Sequence, residues 1–124
     1  MKPYDLQVSV QTQYLPDQSA PDQSLYVWSY TIRIRNSGRV ASQLISRHWI
    51  ITDANDERHE VRGLGVVGHQ PLLQPGEAFE YTSGTSLPTP TGMMQGRYFC
   101  TAEDGQQFEV EIPAFSLSAP NRLH

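Results

Sequence analysis

In the stretch LYVWSYTIRIRNSG, Tyr26, Trp28, Tyr30, Ile32 and Ile34 fall on one face of an extended chain, and Ser29, Thr31, Arg33 and Arg35 fall on the other. A period of two marks a half-buried strand, because successive side chains of a β-strand point to opposite faces. The same alternation runs through YDLQVSVQTQY, where Tyr4, Leu6, Val8, Val10 and Tyr14 oppose Asp5, Gln7, Ser9, Gln11 and Gln13. It returns in QQFEVEI, with Phe108, Val110 and Ile112 opposing Gln107, Glu109 and Glu111. No useful window places apolar residues at i, i+3, i+4 and i+7, so no helix beyond a turn is expected.

Four further strands fill the intervals. Residues 43–53 are rich in β-formers, with Ile45, Trp49 and Ile51 on one side and Leu44 and Ile50 on the other. The turn DANDE leads into a strand at about 57–62. Another follows near 77–83, and GRYFCTA supplies the sixth. Asp104-Gly105 is a hairpin turn, and Pro113 is expected to close the last strand. Residues 16–24 and 84–95 read as loops. About seven short antiparallel strands in two sheets make an all-β sandwich of the immunoglobulin or fibronectin type III kind. Trp28 is the expected centre of the core. Tyr98, near the start of the sixth strand, sits where such a sandwich places a tyrosine corner, its ring buried and its hydroxyl returned to nearby backbone.

A chain of 124 residues fits a single domain, residues 1–124, with core enough to need no staple. The net charge of −4 argues against nucleic acid as a partner. No run approaches the ~20 apolar residues of a membrane helix, and the start lacks a signal region. Cys100 is the single cysteine, so no intrachain disulfide can form. These features point to a cytoplasmic protein.

GLGVVG, residues 63–68, spells the dinucleotide-binding fingerprint. The fingerprint works only where a strand leads through the glycines into a helix whose N-terminus holds the pyrophosphate. Here HQPLLQPG follows, and its prolines and glycine cannot open such a helix. Gly63, Gly65 and Gly68 are therefore expected to serve the backbone, in positive-φ turns or close approaches, with Leu64, Val66 and Val67 capping the core. The alternative is a helix-free anion site made of Arg62, Gly63, Gly65, Gly68 and His69.

No other pattern carries chemistry. His48, His59, His69 and His124 lack zinc-site spacing, so no metal and no cofactor is expected. DANDER lacks the glycine and distal glutamate of a calcium loop. Cys100 alternates with Tyr98 toward the core and reads as an inert hydrophobe. No catalytic constellation emerges, which argues against an enzyme. Phe99, on the face opposite Tyr98 and Cys100, should be exposed. With Trp49 and Ile51 of the neighbouring third strand it forms a candidate interaction patch.

RGLGVVGHQPLLQPGEAFEYTSG, MMQGRYF and IPAFSL together closely resemble the ApaG family of bacterial proteins, from about Leu6 to the C-terminus. The resemblance implies a fibronectin type III-like sandwich and a link to cobalt and magnesium homeostasis. Similar domains in F-box and polymerase-delta-interacting proteins look like protein-interaction modules. The family's suggested pyrophosphate motif maps to Gly63, Gly65 and Gly68. Two functions follow as expectations. The first is a non-enzymatic module that binds protein partners, itself a monomer or weak homodimer, without nucleic acid, membrane or tight nucleotide binding. The second is a small-anion or nucleotide-pyrophosphate binder.

Overall fold

The computed structural model describes residues 2–120. Eight strands follow one another: β1 (Leu6–Tyr14), β2 (Tyr26–Asn36), β3 (Ser42–Asp53), β4 (Arg58–Leu64), β5 (Leu72–Leu73), β6 (Ala78–Leu87), β7 (Thr91–Ala102) and β8 (Gln107–Ser118). Two 3-10 turns, Pro16–Gln18 and Pro21–Gln23, lie between β1 and β2. Every strand pairing is antiparallel. One sheet runs β1-β2-β6. The other runs β4-β3-β7-β8, with β5 beside the start of β3.

The aromatic face of β2 fills the space between the sheets. Trp28, Ile32 and Ile34 are fully enclosed, and the Trp28 Nε1–H donates to the Ser118 carbonyl at 3.1 Å, which satisfies the one polar atom of a buried indole. Trp49 is the second buried indole, edge-on to Tyr30 and Phe115 at centroid distances of 5.6 and 5.9 Å. Asn36, at the end of β2, is also fully buried. Its amide donates to the carbonyls of Val40 and Leu73, and its side-chain oxygen accepts from the Gly38 N–H.

Two β-bulges account for the departures from strict alternation. In β3 the register slips between Leu44 and Ser46. The extra residue turns Leu44 to the same face as Trp49 rather than the face opposite it, as the alternation had suggested. In β8 the pairing jumps from Ile112 to Phe115 opposite Gly96 and Met94. Pro113 therefore does not end the strand. It occupies the bulge, where a missing N–H breaks no ladder bond. The segment 84–95 is not one long loop either. β6 continues to Leu87 and β7 begins at Thr91, with Gly84, Thr85, Met93 and Met94 all in strand. The short β5 had no signal in the alternation.

Tyr98 is buried as expected, but its hydroxyl does not return to the backbone. It meets the Tyr81 hydroxyl of the opposite sheet at 2.6 Å. Burial pushes both phenols up from their ordinary range.

Candidate functional site

The glycine segment joins β4 to β5 through a tight turn. Val66 and His69 exchange both backbone hydrogen bonds, at 2.7 and 2.9 Å. Val67 and Gly68 at its tip both have positive φ, +47° and +79°, the pattern of a two-residue type I′ turn. Gly65 has φ +64°, and a β-carbon there would lie 2.4 Å from the His69 carbonyl oxygen. Gly63 has ordinary strand geometry and a different reason to be glycine. The Arg47 guanidinium passes beneath it, so that a β-carbon would sit 2.7 Å from Nη1. That guanidinium donates to the carbonyls of Leu64 and Gly65 at 3.1 and 2.9 Å. Of the three apolar residues expected to cap the core, only Val66 is buried. Leu64 and Val67 face outward, because the turn projects them away from the sheets.

Three of the turn's donors are spent on backbone carbonyls. The Gly65 N–H goes to Ile45, the Val66 N–H to His69 and the His69 N–H to Val66. Arg62 and His69 do not converge. Arg62 pairs in register with His48 on the outer face of its sheet. The His69 ring packs on Phe79 of the other sheet, 5.6 Å between centroids.

The patch expected from Phe99, Trp49 and Ile51 is also divided. Trp49 is 2% exposed and Ile51 packs against the core. The bulge after Leu44 leaves both on the inner face while Phe99 stays outside. What surrounds Phe99 instead follows from the register. Leu64, Ser46, Phe99 and Glu109 lie in one row across β4, β3, β7 and β8. Arg62, His48, Arg97 and Glu111 lie in the next. Strands lie about 4.8 Å apart, so three basic side chains span roughly 10 Å. Small Ser46 between Leu64 (75% exposed) and Phe99 (37% exposed) leaves an open groove of about 540 Å³, with Arg62 and Arg97 on its flanks.

Two carboxylates steady the row. His48 Nε2 lies 2.9 Å from Glu60, and Arg97 lies 3.3 Å from Glu109. The hydrogen bond from His48, helped by the charges of His48, Arg62 and Arg58, holds the Glu60 carboxyl below its ordinary range. Arg62 reaches Glu60 only at 3.9 Å and is largely exposed. Among the described residues no cluster of three or more His, Cys, Asp or Glu could hold a metal ion. His124 lies outside them. The DANDE segment is the expected hairpin turn, with Asp53 Oδ1 accepting from the N–H groups of Asn55 and Glu57. Burial pushes the Cys100 thiol up to about 12.

The fold and site together define a β-sandwich of the fibronectin type III kind with a mixed cationic and apolar groove on its larger sheet. Sequence comparison makes the assignment specific. The chain belongs to the ApaG domain family, whose model matches residues 16–102. It is 60% identical to Protein ApaG of Ralstonia nicotianae over the full length of both chains. It is 62% identical to Protein ApaG of Nitrosomonas eutropha, covering 98% of this chain and 95% of that one. A crystal structure of a Bordetella pertussis protein described as ApaA superposes with a TM-score of 0.94 at 60% identity, covering 98% of each chain. No helix among the described residues is long and apolar enough to cross a membrane.

Proposed function

We propose that this protein is a non-enzymatic binding module that works in the cytoplasm and docks a protein partner on the outer face of its five-stranded sheet. The observation that carries this reading is the groove over Ser46. Exposed Leu64 and Phe99 offer apolar area, and Arg62 and Arg97 at its flanks offer positive charge, on a chain whose net charge is −4. An apolar centre with arginines at its rim is the composition of a protein interface. The partner surface it fits is apolar and acidic. On this reading the cobalt and magnesium link runs through the partner.

The test places a photo-crosslinking amino acid at position 99 in living cells and identifies the adducts by mass spectrometry. A defined partner should crosslink through an acidic, apolar surface and be lost in Arg62→Glu/Arg97→Glu. Crosslinking that survives this charge reversal, or that is matched by a probe at Arg33 on the other sheet, refutes the proposal.

A further inference from the structure

The two sides of the sandwich are closed differently. On one side β1 leans against β8. On the other, β6 and β4 are both edge strands and do not pair with each other. Edge strands expose a row of backbone donors and acceptors, which proteins ordinarily guard with charge or proline. β4 is guarded by Arg58, His59, Glu60 and Arg62. β6 from Tyr81 to Leu87, YTSGTSL, carries neither charge nor proline.

Beneath that edge the core is under-filled. Along this stretch the inward positions are Tyr81, Ser83, Thr85 and Leu87, which pair in register with Ile32, Tyr30, Trp28 and Tyr26. Ser83 and Thr85 are small and half-buried, and they leave space beside Tyr30 and Trp49, which are themselves buried. Across the gap β4 contributes Val61, 40% exposed, with His59 and Gly63 on the same face, and the turn after β4 adds Val66 and Val67. The result is a slot of about 350 Å³ between the sheets, walled by Tyr30, Trp49, Val61, Ser83 and Thr85, with Arg47 also lining it. Arg47 has no carboxylate within ion-pair distance among the described residues. Its two hydrogen bonds go to neutral carbonyls.

We propose that the free edge of β6 is a strand-docking site for an extended segment of a partner protein. The segment pairs with Tyr81–Leu87, drops alternate aliphatic side chains into the slot, and sets an acidic side chain against Arg47. Each part of the ligand answers one feature. An unpaired ladder edge accepts extended backbone. The two-residue repeat of a strand delivers every second side chain to one side. A half-buried guanidinium without an anion selects a carboxylate. The slot shares Arg47 with the groove over Ser46 but no other lining residue, and its occupant is a peptide strand rather than a folded surface.

A random-peptide phage library panned on the full-length protein tests the idea. Enriched sequences should alternate aliphatic residues and carry an acidic residue in the inward phase. The synthetic peptide should shift the amide resonances of residues 81–87 and change the fluorescence of Trp49. Ser83→Leu fills the slot from within and displaces about one aliphatic side chain of the ligand. Affinity should fall about tenfold or more while urea stability holds. Arg47→Met should abolish the selection for an acidic residue and keep the aliphatic pattern. The proposal fails if no alternating sequence is enriched, if the shifts centre on Phe99, if Ser83→Leu binds as well as the parent, or if β6 pairs instead with β6 of a second copy. Failure here leaves the crosslinking outcome at position 99 untouched.

Discussion

Replacing Gly65 with alanine strains the turn twice over. An alanine at φ +64° gives up about 1–2 kcal/mol relative to glycine. The new β-carbon would sit 2.4 Å from the His69 carbonyl oxygen, against an ordinary contact near 3.4 Å. The chain must open there by about 1 Å. That distance is enough to break the paired hydrogen bonds between Val66 and His69 at 2.7 and 2.9 Å, each worth about 1 kcal/mol net. Gly65→Ala should therefore destabilise by about 3–4 kcal/mol. Gly68 supplies the control. Its φ is +79°, but a β-carbon there meets nothing within 4 Å. Gly68→Ala should lose only the conformational part, about 1–2 kcal/mol. Urea unfolding followed by the fluorescence of buried Trp28 and Trp49 measures both, with equal m-values as the check that only stability changed. Equal losses at the two positions, or a larger loss at Gly68, would show that the glycines are not held by this turn.

The same turn contains a residue that works against it. Val67 is β-branched at φ +47°, so Val67→Asn, which creates the preferred Asn-Gly type I′ sequence, should raise stability by about 1 kcal/mol in the same assay. Millimolar ATP with magnesium should leave the amide resonances of residues 62–69 unmoved, since three of those donors are already spent on carbonyls. Saturable, salt-sensitive shifts there would restore the phosphate site. Cys100 predicts an alkaline signature. Its thiol titrates near 12 when folded against an ordinary 9.0, so both states hold the proton below pH 9. Above that pH only the unfolded chain releases it, and the stability falls as pH rises toward 12. The difference from Cys100→Ala should reach about 1.4 kcal/mol by pH 10. A pH-independent difference would refute the burial argument.

The alternation made β1, β2 and the first half of β8 legible because each strand has one face on the core and one in water. Strand β3 was less so. A bulge depends on the partner strand, and nothing in QLISRHWIITD says that Ile45 is the extra residue. That one slip carried Trp49 and Ile51 to the wrong side of the candidate patch while Phe99 was placed correctly. Pro113 misled for the same reason, since a proline at a bulge and a proline after a strand look alike in sequence. Gly65 and Gly68 bear the expected positive φ. The close approach at Gly63 was invisible because Arg47, the residue that needs it, stood unremarked at an inward position of a strand. The row of Arg62, His48 and Arg97 is assembled from three strands, and only the register brings it together.

The buried amide of Asn36 joins parts of the chain that meet late. It holds the end of β2 to Val40 and to Leu73, while its own backbone bonds Gly76 and Glu77. Such a clasp can close only after both sheets have docked, so it contributes little to the transition state for folding. Its influence falls on the rate of escape from the native state. Asn36→Ala should steepen nothing in the folding limb of a chevron and should raise the unfolding rate, a position where lifetime, rather than speed of assembly, is set.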